Sequence, residues 1–306
     1  MYDLIGDLHG HADALEELLL ALGYQQTAGV YRHANRQVIF LGDFVDRGPK
    51  IRQVLHIVRS MVEADTALAV MGNHELNALA FHTELALKPG SYLRPRNDKN
   101  THQHQQTLLQ LNAAELADAL AWFRTLPLWL DLAGLRAVHA CWDEQSIAHV
   151  ARGLDLHGSV SHEFLQAACC REGNLFAPVE TILKGKEARL PEGLFYRDKD
   201  GHLRDQVRTR WYLPAAGKTY GEYAFQSDPI DCSDLLLDDV VQNATPYPST
   251  SKPVFVGHYW LSSQQPELLA ENVACLDYSV AKGGFLCAYR WNGEQQLSNE
   301  NFVWVR

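Results

Sequence analysis

The sequence predicts an α/β fold with parallel strands, because two kinds of segment alternate along it. Short apolar runs at residues 2–6, 36–41 and 67–71 have the length and composition of buried strands. Residues 13–22 and 51–62, which lie between these runs, repeat apolar side chains at helical spacing. Each apolar run leads into a glycine followed by a polar residue. Strands and helices that alternate in this way form parallel sheets, and ligand sites gather at the carboxyl ends of such strands.

Beyond residue 75 the pattern is less regular. The sequence to about residue 126 is predicted to be mainly helical, with a polar loop at residues 88–100. Two hairpins, a helix, a loop rich in Pro, Ser and Thr, and three late strands complete the prediction. They lie at residues 128–138 and 194–211 (hairpins), 161–170 (helix), 242–253 (loop), and 253–256, 273–278 and 285–291 (strands).

The composition limits the partners that the protein can have. With a formal net charge of −10, the chain has no excess of cations to drive binding to nucleic acid or to an anionic membrane. No apolar run reaches the roughly 18 residues that span a bilayer, and the first residues lack the features of a signal peptide. We therefore expect a cytoplasmic protein that binds neither nucleic acid nor membrane. The cysteines form no CxxC pair, so we expect free thiols.

Ligand-type side chains follow five of the predicted strands. They are Asp7, His9, Asp43, Asp46, Asn73, His74, His139 and His258. Carboxylate, imidazole and amide groups together suit divalent ions such as Mn, Fe, Zn or Mg. A carboxylate can bridge two such ions and assemble a hydrolytic centre. The sequence therefore indicates a metal site built from strand ends that lie far apart along the chain.

The blocks GDLHG, GDFVDRG and GNHE carry a resemblance to a known family. With these blocks the chain resembles the calcineurin-like metallophosphoesterases, specifically the phosphoprotein-phosphatase superfamily with its bacterial relatives. The resemblance covers about residues 3–77, His139 and about residues 254–291. It implies a four-layer α/β/β/α sandwich of two mixed sheets with a dimetal centre. We expect one domain over residues 1–306, with an insert at about residues 142–252 that borders the cleft.

The resemblance also implies two divalent ions, most of all Mn, with Fe, Zn and Mg as alternatives. One ion would be held by Asp7, His9 and Asp43, and the other by Asp43, Asn73, His139 and His258. Asp43 would bridge the two ions. A hydroxide between the ions would attack the phosphorus directly, so no covalent phosphoenzyme would form.

Catalytic roles follow from the same resemblance. His74 would be the general acid that protonates the leaving oxygen, and Asp46 would orient His74. Arg47 would hold the phosphate by a two-pronged contact, and Glu75 would position Arg47. These four residues would complete the reaction centre around the metals.

The substrate wall is expected to come from later parts of the chain. After His258, either Tyr259 or Trp260 could line the cleft. Many members of the family carry a second phosphate-binding arginine between the two late histidines. Arg208 or Arg210 is the candidate for this role in the present sequence.

The other histidines are predicted to be surface or capping residues. They are His11, His33, His56, His82, His102, His104, His149, His157, His162 and His202. An isolated histidine is more often structural than a ligand, and none of these stands in one of the three blocks. Trp211, Trp260 and Trp291 are likewise predicted to belong to the core more often than to a substrate platform.

Three functional interpretations stay open at this point. The first is a metal-dependent phosphoesterase that hydrolyses phosphate monoesters, either in phosphoproteins or in small molecules. The second is a symmetrical dinucleoside polyphosphate hydrolase of the diadenosine tetraphosphatase type. The third is an inactive metal-binding interaction module, which the presence of Asp46, His74 and Arg47 disfavours. In the first two cases the partner is a phosphorylated substrate.

Overall fold

The computed structural model of the chain describes residues 1–86, 88–154, 158–197, 203–225, 230 and 232–306. Its helices are α1 (Ala12–Ala21), α2 (Ile51–Glu63), α3 (Asn73–His82), α4 (Asp98–Gln110), α5 (Ala113–Phe123), α6 (Glu144–Ala151), α7 (His162–Cys169), α8 (Phe176–Lys184), α9 (Tyr220–Tyr223) and α10 (Asp238–Asn243). Short 3-10 turns cover Val280–Lys282 and Asn299–Asn301. None of the described helices has the length and apolar character needed to cross a membrane.

The strands fall mainly into two mixed sheets. They are β1 (Tyr2–Ile5), β2 (Gln25–Thr27), β3 (Val30–Arg32), β4 (Gln37–Phe40), β5 (Ala67–Ala69), β6 (Glu84–Leu85), β7 (Lys88–Tyr92), β8 (Trp129–Asp131), β9 (Arg136–Val138), β10 (Glu187–Arg189), β11 (Tyr196–Arg197), β12 (Leu203–Arg204), β13 (Gln206–Arg208), β14 (Val254–Val256), β15 (Val273–Cys275), β16 (Asp277–Tyr278), β17 (Phe285–Trp291) and β18 (Phe302–Val305).

The first sheet has the order β16-β17-β1-β4-β5, with β18 paired to β17. Strands β1, β4 and β5 are parallel, whereas β17 is antiparallel to β1. The second sheet has the order β15-β14-β9-β8, in which β15, β14 and β9 are parallel and β8 is antiparallel. The predicted α/β fold with two mixed sheets is therefore confirmed.

One hydrophobic core joins the two sheets. Phe255 of β14 and Tyr289 of β17 bring their ring centroids to 5.1 Å, so side chains of the second sheet pack on those of the first. Helices α1 and α2 contact the first sheet through β17, β18 and β5. A second, smaller cluster of buried side chains lies at residues 188–236. The prediction of a single domain with an insert at residues 142–252 stays a prediction.

The chain passes from one sheet to the other at Leu276. The sequence predicts one strand at residues 273–278, but β15 pairs in the second sheet and β16 in the first. The Leu276 carbonyl approaches Gly6 so closely that a Cβ at residue 6 would lie 2.1 Å from its oxygen. The glycine that ends the first strand is thus required where the two sheets meet.

Other departures from the predicted elements have local causes. Of the loop predicted at residues 88–100, residues 93–97 are a loop, but strand β7 precedes them and α4, which Asn97 caps through its side chain, begins at Asp98. Of the hairpin predicted at residues 194–211, β11 and β12 do pair, but β13 pairs with β10. Strand β18 was not predicted. His157 and His202 lie outside the described residues. All six cysteines are free thiols, as expected.

Candidate metal centre

The loops that follow strands β1, β4, β5, β9 and β14 are tied to one another. The backbone amide of His9 donates to the Asp43 carbonyl at 2.8 Å, and that of Gly257 donates to the His139 carbonyl at 2.8 Å. The amide of His74, at the start of α3, donates to Asp43 Oδ1 at 2.9 Å. The carboxyl ends of parallel strands from both sheets therefore bring the predicted ligand residues together.

Asp43 lies at the centre of this region, with imidazoles on both sides of its carboxylate. Oδ2 is 3.6 Å from His9 Nε2 and 3.9 Å from His74 Nε2, whereas Oδ1 is 3.4 Å from His139 Nε2. Two buried groups of side chains have ligand atoms within 4.8 Å of one another: His9, Asp43 and His74, and Asp43, His139 and His258. Asp43 belongs to both groups, as a bridging carboxylate must.

Backbone carbonyls beside Asp43 orient two of these rings. His9 Nδ1 donates to the Val45 carbonyl at 2.9 Å, and His139 Nδ1 donates to the Leu41 carbonyl at 2.6 Å. With Nδ1 bonded to a backbone carbonyl, each ring turns Nε2 toward Asp43. Metal-binding histidines are commonly held in this way, with the second nitrogen bonded to a carbonyl.

The unpaired nitrogen atoms fit a divalent cation. Within the described part of the chain, His9 Nε2 and His258 Nε2 are buried and have no hydrogen-bond partner, a state that costs free energy unless a cation is bound. His139 Nε2 faces Asn73 Oδ1 at 3.1 Å as well as Asp43. Burial alone would lower the pKa of His139, but the Asp43 carboxylate raises it to about 10. The site thus attracts positive charge strongly.

Asp7 and Asn73 lie beside these groups. Both Asp7 carboxylate oxygens accept the amide N–H of His258 at 3.2 Å. Burial and the neighbouring charge of Asp277 raise the pKa of Asp7 well above its usual value. Asn73 Oδ1 is 2.7 Å from His258 Nδ1. The structure therefore brings both predicted ligands to the site, although Asp7 belongs to neither three-residue group.

His74 and Asp46 form a buried pair next to Asp43. His74 Nδ1 donates to Asp46 Oδ2 at 2.6 Å. His74 Nε2 lies 3.9 Å from Asp43 Oδ2 and 3.4 Å from the side-chain nitrogen of Gln103. Burial works against ionisation of Asp46, yet hydrogen bonds from His104 and His74 hold the pKa of its carboxyl well below the usual range. His74 thus has the geometry of a proton donor oriented by a carboxylate.

The prediction that His104 is a surface or capping residue is wrong. His104 is buried, and its Nδ1 donates to Asp46 Oδ1 at 2.7 Å. Thr107 donates to the same oxygen at 2.6 Å and accepts the amide N–H of Asp46. Both residues lie on α4, where the sequence contains no recognisable motif. The one available signal was their spacing, since residues 104 and 107 lie on the same face of a helix.

Glu75 has a different role from the one expected. Its carboxylate accepts the backbone N–H groups of Gly72, Asp43 and Phe44 at 2.8–2.9 Å. Glu75 therefore joins the loop after β5 to the loop after β4 instead of positioning Arg47. It is fully buried, and removing it would leave three amides without their acceptor.

Arg47 lies at the rim of the site, where it stacks on Trp260. The guanidinium carbon is 4.1 Å from the Trp260 ring centroid, a distance at which a cation and an aromatic ring attract each other. Trp260 is partly exposed, and its backbone N–H donates to Asp277 at 2.7 Å. Trp260 thus holds Arg47 next to the candidate metal centre and is not a core residue.

The predicted substrate-binding residues are placed differently from one another. Tyr259 is fully buried, stacks on Phe225 at 3.8 Å and donates to the Ala140 carbonyl, so it is a core residue and not part of the substrate wall. Arg210 donates to the Ala224 carbonyl. Arg208 lies closer to the candidate metal centre. Burial is the main cause that lowers the pKa of His258, and the positive charge of Arg208 is the next cause.

Several site residues adopt backbone conformations that residues other than glycine rarely adopt. Positive φ angles occur at His9 (41°), Asp43 (53°), Asp46 (67°), Arg47 (66°), His258 (70°) and Trp260 (51°). Such strain is characteristic of functional sites, where the surrounding structure has to hold it. The buried contacts from Glu75, His104 and Thr107 supply that support.

The calcineurin-like phosphoesterase family model matches residues 2–167, which is more than half of the chain. The chain therefore belongs to the calcineurin-like phosphoesterase family. Membership implies divalent metal ions, and the two groups around Asp43 are their candidate ligands.

Individual relatives match this chain either over a short segment or, at lower identity, over nearly its full length. The asymmetrical bis(5'-nucleosyl)-tetraphosphatase of Oceanobacillus iheyensis is 48% identical over 73 residues, which cover 24% of this chain and 29% of the relative. The chain thus matches less than a third of that protein. A symmetrical bis(5'-nucleosyl)-tetraphosphatase of Vibrio parahaemolyticus is 26% identical over 97% of both chains. A protein-tyrosine phosphatase structure from a psychrophilic Shewanella is 17% identical, with TM-score 0.48, over 94% of this chain and 74% of the other.

Proposed function

We propose that the protein is a metal-dependent phosphoesterase whose reaction centre surrounds Asp43. One observation carries the proposal. Imidazoles from both sheets turn toward opposite oxygens of the buried Asp43 carboxylate, while the His74–Asp46 pair and Arg47 lie beside it. This arrangement combines a cation site, a proton donor and an anion-binding side chain at one place, which is the set of groups that phosphate ester hydrolysis requires.

The metal site is proposed to hold two divalent ions, with Mn the first choice and Fe, Zn or Mg as alternatives. His9, Asp43 and Asp7 would hold one ion, and Asp43, Asn73, His139 and His258 the other. Bound there, the ions would neutralise charge on the phosphoryl oxygens and make water more acidic. Carboxylate, amide and imidazole ligands suit these ions.

The protein's own side chains supply the remaining steps. Arg47, held by Trp260, would bind phosphoryl oxygens and keep the ester in line. His74 would donate the Nε2 proton to the leaving oxygen while Asp46 holds Nδ1. The burial of both residues keeps water from competing for this proton. Arg208 is proposed to bind a more distant part of the substrate.

Two substrate classes are proposed. Phosphate monoesters, in phosphoproteins or small molecules, are the first, because one phosphoryl group satisfies all the groups named above. Bis(5'-nucleosyl) tetraphosphates are the second, and the names of the Oceanobacillus and Vibrio relatives favour them. A cytoplasmic location, without nucleic-acid or membrane partners, stays a prediction from the sequence.

A substrate panel tests the proposal. The protein is stripped with a chelator, reconstituted with Mn and assayed on p-nitrophenyl phosphate, a phosphopeptide and diadenosine tetraphosphate. We expect Mn-dependent hydrolysis of at least one of them, and the preferred compound identifies the substrate class. If the metal-loaded protein cleaves none of the three, the inactive binding module becomes the better account.

A further inference from the structure

One polar face of helix α4 holds the loop that carries Asp46 and Arg47. The face consists of Gln103, His104, Thr107 and Gln110, which follow the spacing of a helix. Gln110 Nε2 donates to the Gly48 carbonyl at 2.9 Å, and Gln110 Oε1 accepts the Ile51 amide at 2.7 Å. The end of the loop that leads into α2 is therefore fixed by a helix that contains none of the three sequence blocks.

Asp46 takes its side-chain position from the same face. Oδ1 receives His104 Nδ1 at 2.7 Å and the Thr107 hydroxyl at 2.6 Å, while Oδ2 receives His74 Nδ1 at 2.6 Å. An ionised carboxylate can only accept hydrogen bonds, so each of these three groups must carry its proton toward Asp46. The contacts on Oδ1 prevent the carboxylate from rotating away from His74.

His82 extends this chain of hydrogen bonds. Its Nε2 is 3.2 Å from His104 Nε2. Burial is the largest cause that lowers the pKa of His82, to about 4, so its ring is neutral near pH 7. A neutral His82 that donates from Nε2 would leave a lone pair on His104 Nε2 and fix the His104 proton on Nδ1.

We propose that His104 is a positioning residue for the reaction: it holds Asp46 against His74, and thereby keeps the proton of the general acid on Nε2 directed at the leaving oxygen. His104 is buried and belongs to neither group of candidate metal ligands. Its effect passes entirely through Asp46. The inference rests on the proposed function, because it takes His74 to be the general acid.

Two amide substitutions separate the contacts of His104. In His104→Asn, the side-chain amide nitrogen can occupy the place of Nδ1 and keep the hydrogen bond to Asp46. In His104→Gln, the amide lies near the place of Nε2, so it keeps the contact with His82 and loses the one with Asp46. His102→Gln is the control, because His102 lies on the same helix with its side chain exposed.

The leaving group provides the readout. Hydrolysis of phenyl phosphate needs protonation of its leaving oxygen, whereas 2,4-dinitrophenolate leaves without it. We expect His104→Gln to lower kcat for phenyl phosphate about 10- to 100-fold, the cost of a misplaced catalytic group, and to change kcat for 2,4-dinitrophenyl phosphate by less than about threefold. KM and metal content should not change, and His104→Asn should recover most of the loss.

Several outcomes would overturn the proposal. Equal losses on the two esters, or a loss of metal, would show that His104 only supports the structure. Equal activity of the Asn and Gln variants would show that its contact with Asp46 is not the one that matters.

A measurement that needs no activity separates this inference from the proposed function. The His74 Nδ1 proton, bonded to a buried carboxylate, should be visible in the proton NMR spectrum of the unmodified protein. Its exchange with water should be at least about tenfold faster in His104→Gln than in His104→Asn. Equal exchange rates would contradict the positioning role. If the proton behaves as expected but neither ester is hydrolysed, the proposed function fails and the positioning role stands.

Discussion

Two regions build the candidate site, the strand-end loops and helix α4, and they contribute in different ways. The loops, together with the first turn of α3, present the groups that face the metal site. The loop residues do so from strained backbone, with φ of 53° at Asp43 and 70° at His258. Helix α4 has regular geometry and presents no ligand to Asp43. It supplies His104 and Thr107, which fix Asp46 by hydrogen bonds to its Oδ1.

Reactivity and support are therefore separated in this protein. A loop can point a side chain in a direction that no helix or strand allows, but it needs contacts from rigid elements to hold it there. Changes in the loops should therefore alter what the site binds, and changes in α4 should alter how well it is aligned. Four variants test this separation.

The largest effect is expected for Asp43→Asn in the loop after β4. The amide can no longer offer two anionic oxygens to the two groups of imidazoles, so at least one metal should be lost and phosphatase activity should fall to background. Metal per chain, measured by mass spectrometry, checks this. Asp13→Asn is the control, since Asp13 is an exposed carboxylate paired with Lys50. Full metal occupancy in Asp43→Asn would remove the bridging role.

His74→Asn should reduce kcat strongly without loss of metal. Removing a general acid typically costs about 10²- to 10⁴-fold in rate. His74 Nε2 lies 3.9 Å from Asp43 Oδ2, close enough that a ligand role is the competing explanation. Metal analysis of the variant decides between the two, because a ligand variant would come out with less than its full metal content.

Trp260→Leu should act on substrate binding. Without the ring, Arg47 loses its stacking partner, and KM should rise by up to about thirtyfold, the equivalent of about 2 kcal/mol. kcat should change much less. Trp304→Leu is a matched control on β18, where the side chain is 40% exposed. A fall in kcat with KM unchanged would mean that Trp260 supports the reaction step instead.

Thr107→Val is expected to have the smallest effect. The substitution keeps the shape of the side chain but removes both hydrogen bonds to Asp46. Unfolding in urea should show a loss of about 1 kcal/mol, and kcat should fall several-fold while metal content stays full. Metal loss in this variant would contradict the separation of the two regions.

The residues around the metal site could be predicted from the sequence because they stand in an unusual local pattern. A glycine and a polar residue at the end of an apolar run, as at Gly42-Asp43 and Gly257-His258, are typical of a strand that ends at a ligand site. The α/β alternation of the first strands likewise follows from periodicity alone. In the structure, His9, His139 and His258 lie together around Asp43.

The residues that support the site could not be predicted from a local pattern. His104 lies in a polar stretch whose mean composition resembles a surface loop, and only the tertiary fold brings it to Asp46. Tyr259 follows a predicted ligand directly, yet the reversal of the backbone after His258 turns it into the core. Strand β18 pairs with β17, off the main strand order of the first sheet. These features depend on contacts between distant residues and not on local pattern.

Asp43 is proposed to stand between two metal ions. Anomalous diffraction from crystals of the Mn-reconstituted protein tests this placement. We expect two Mn peaks about 3.5–4 Å apart, one beside His9 and Asp43 and the other beside Asp43, His139 and His258. A single peak, or Mn bound away from Asp43, would contradict it.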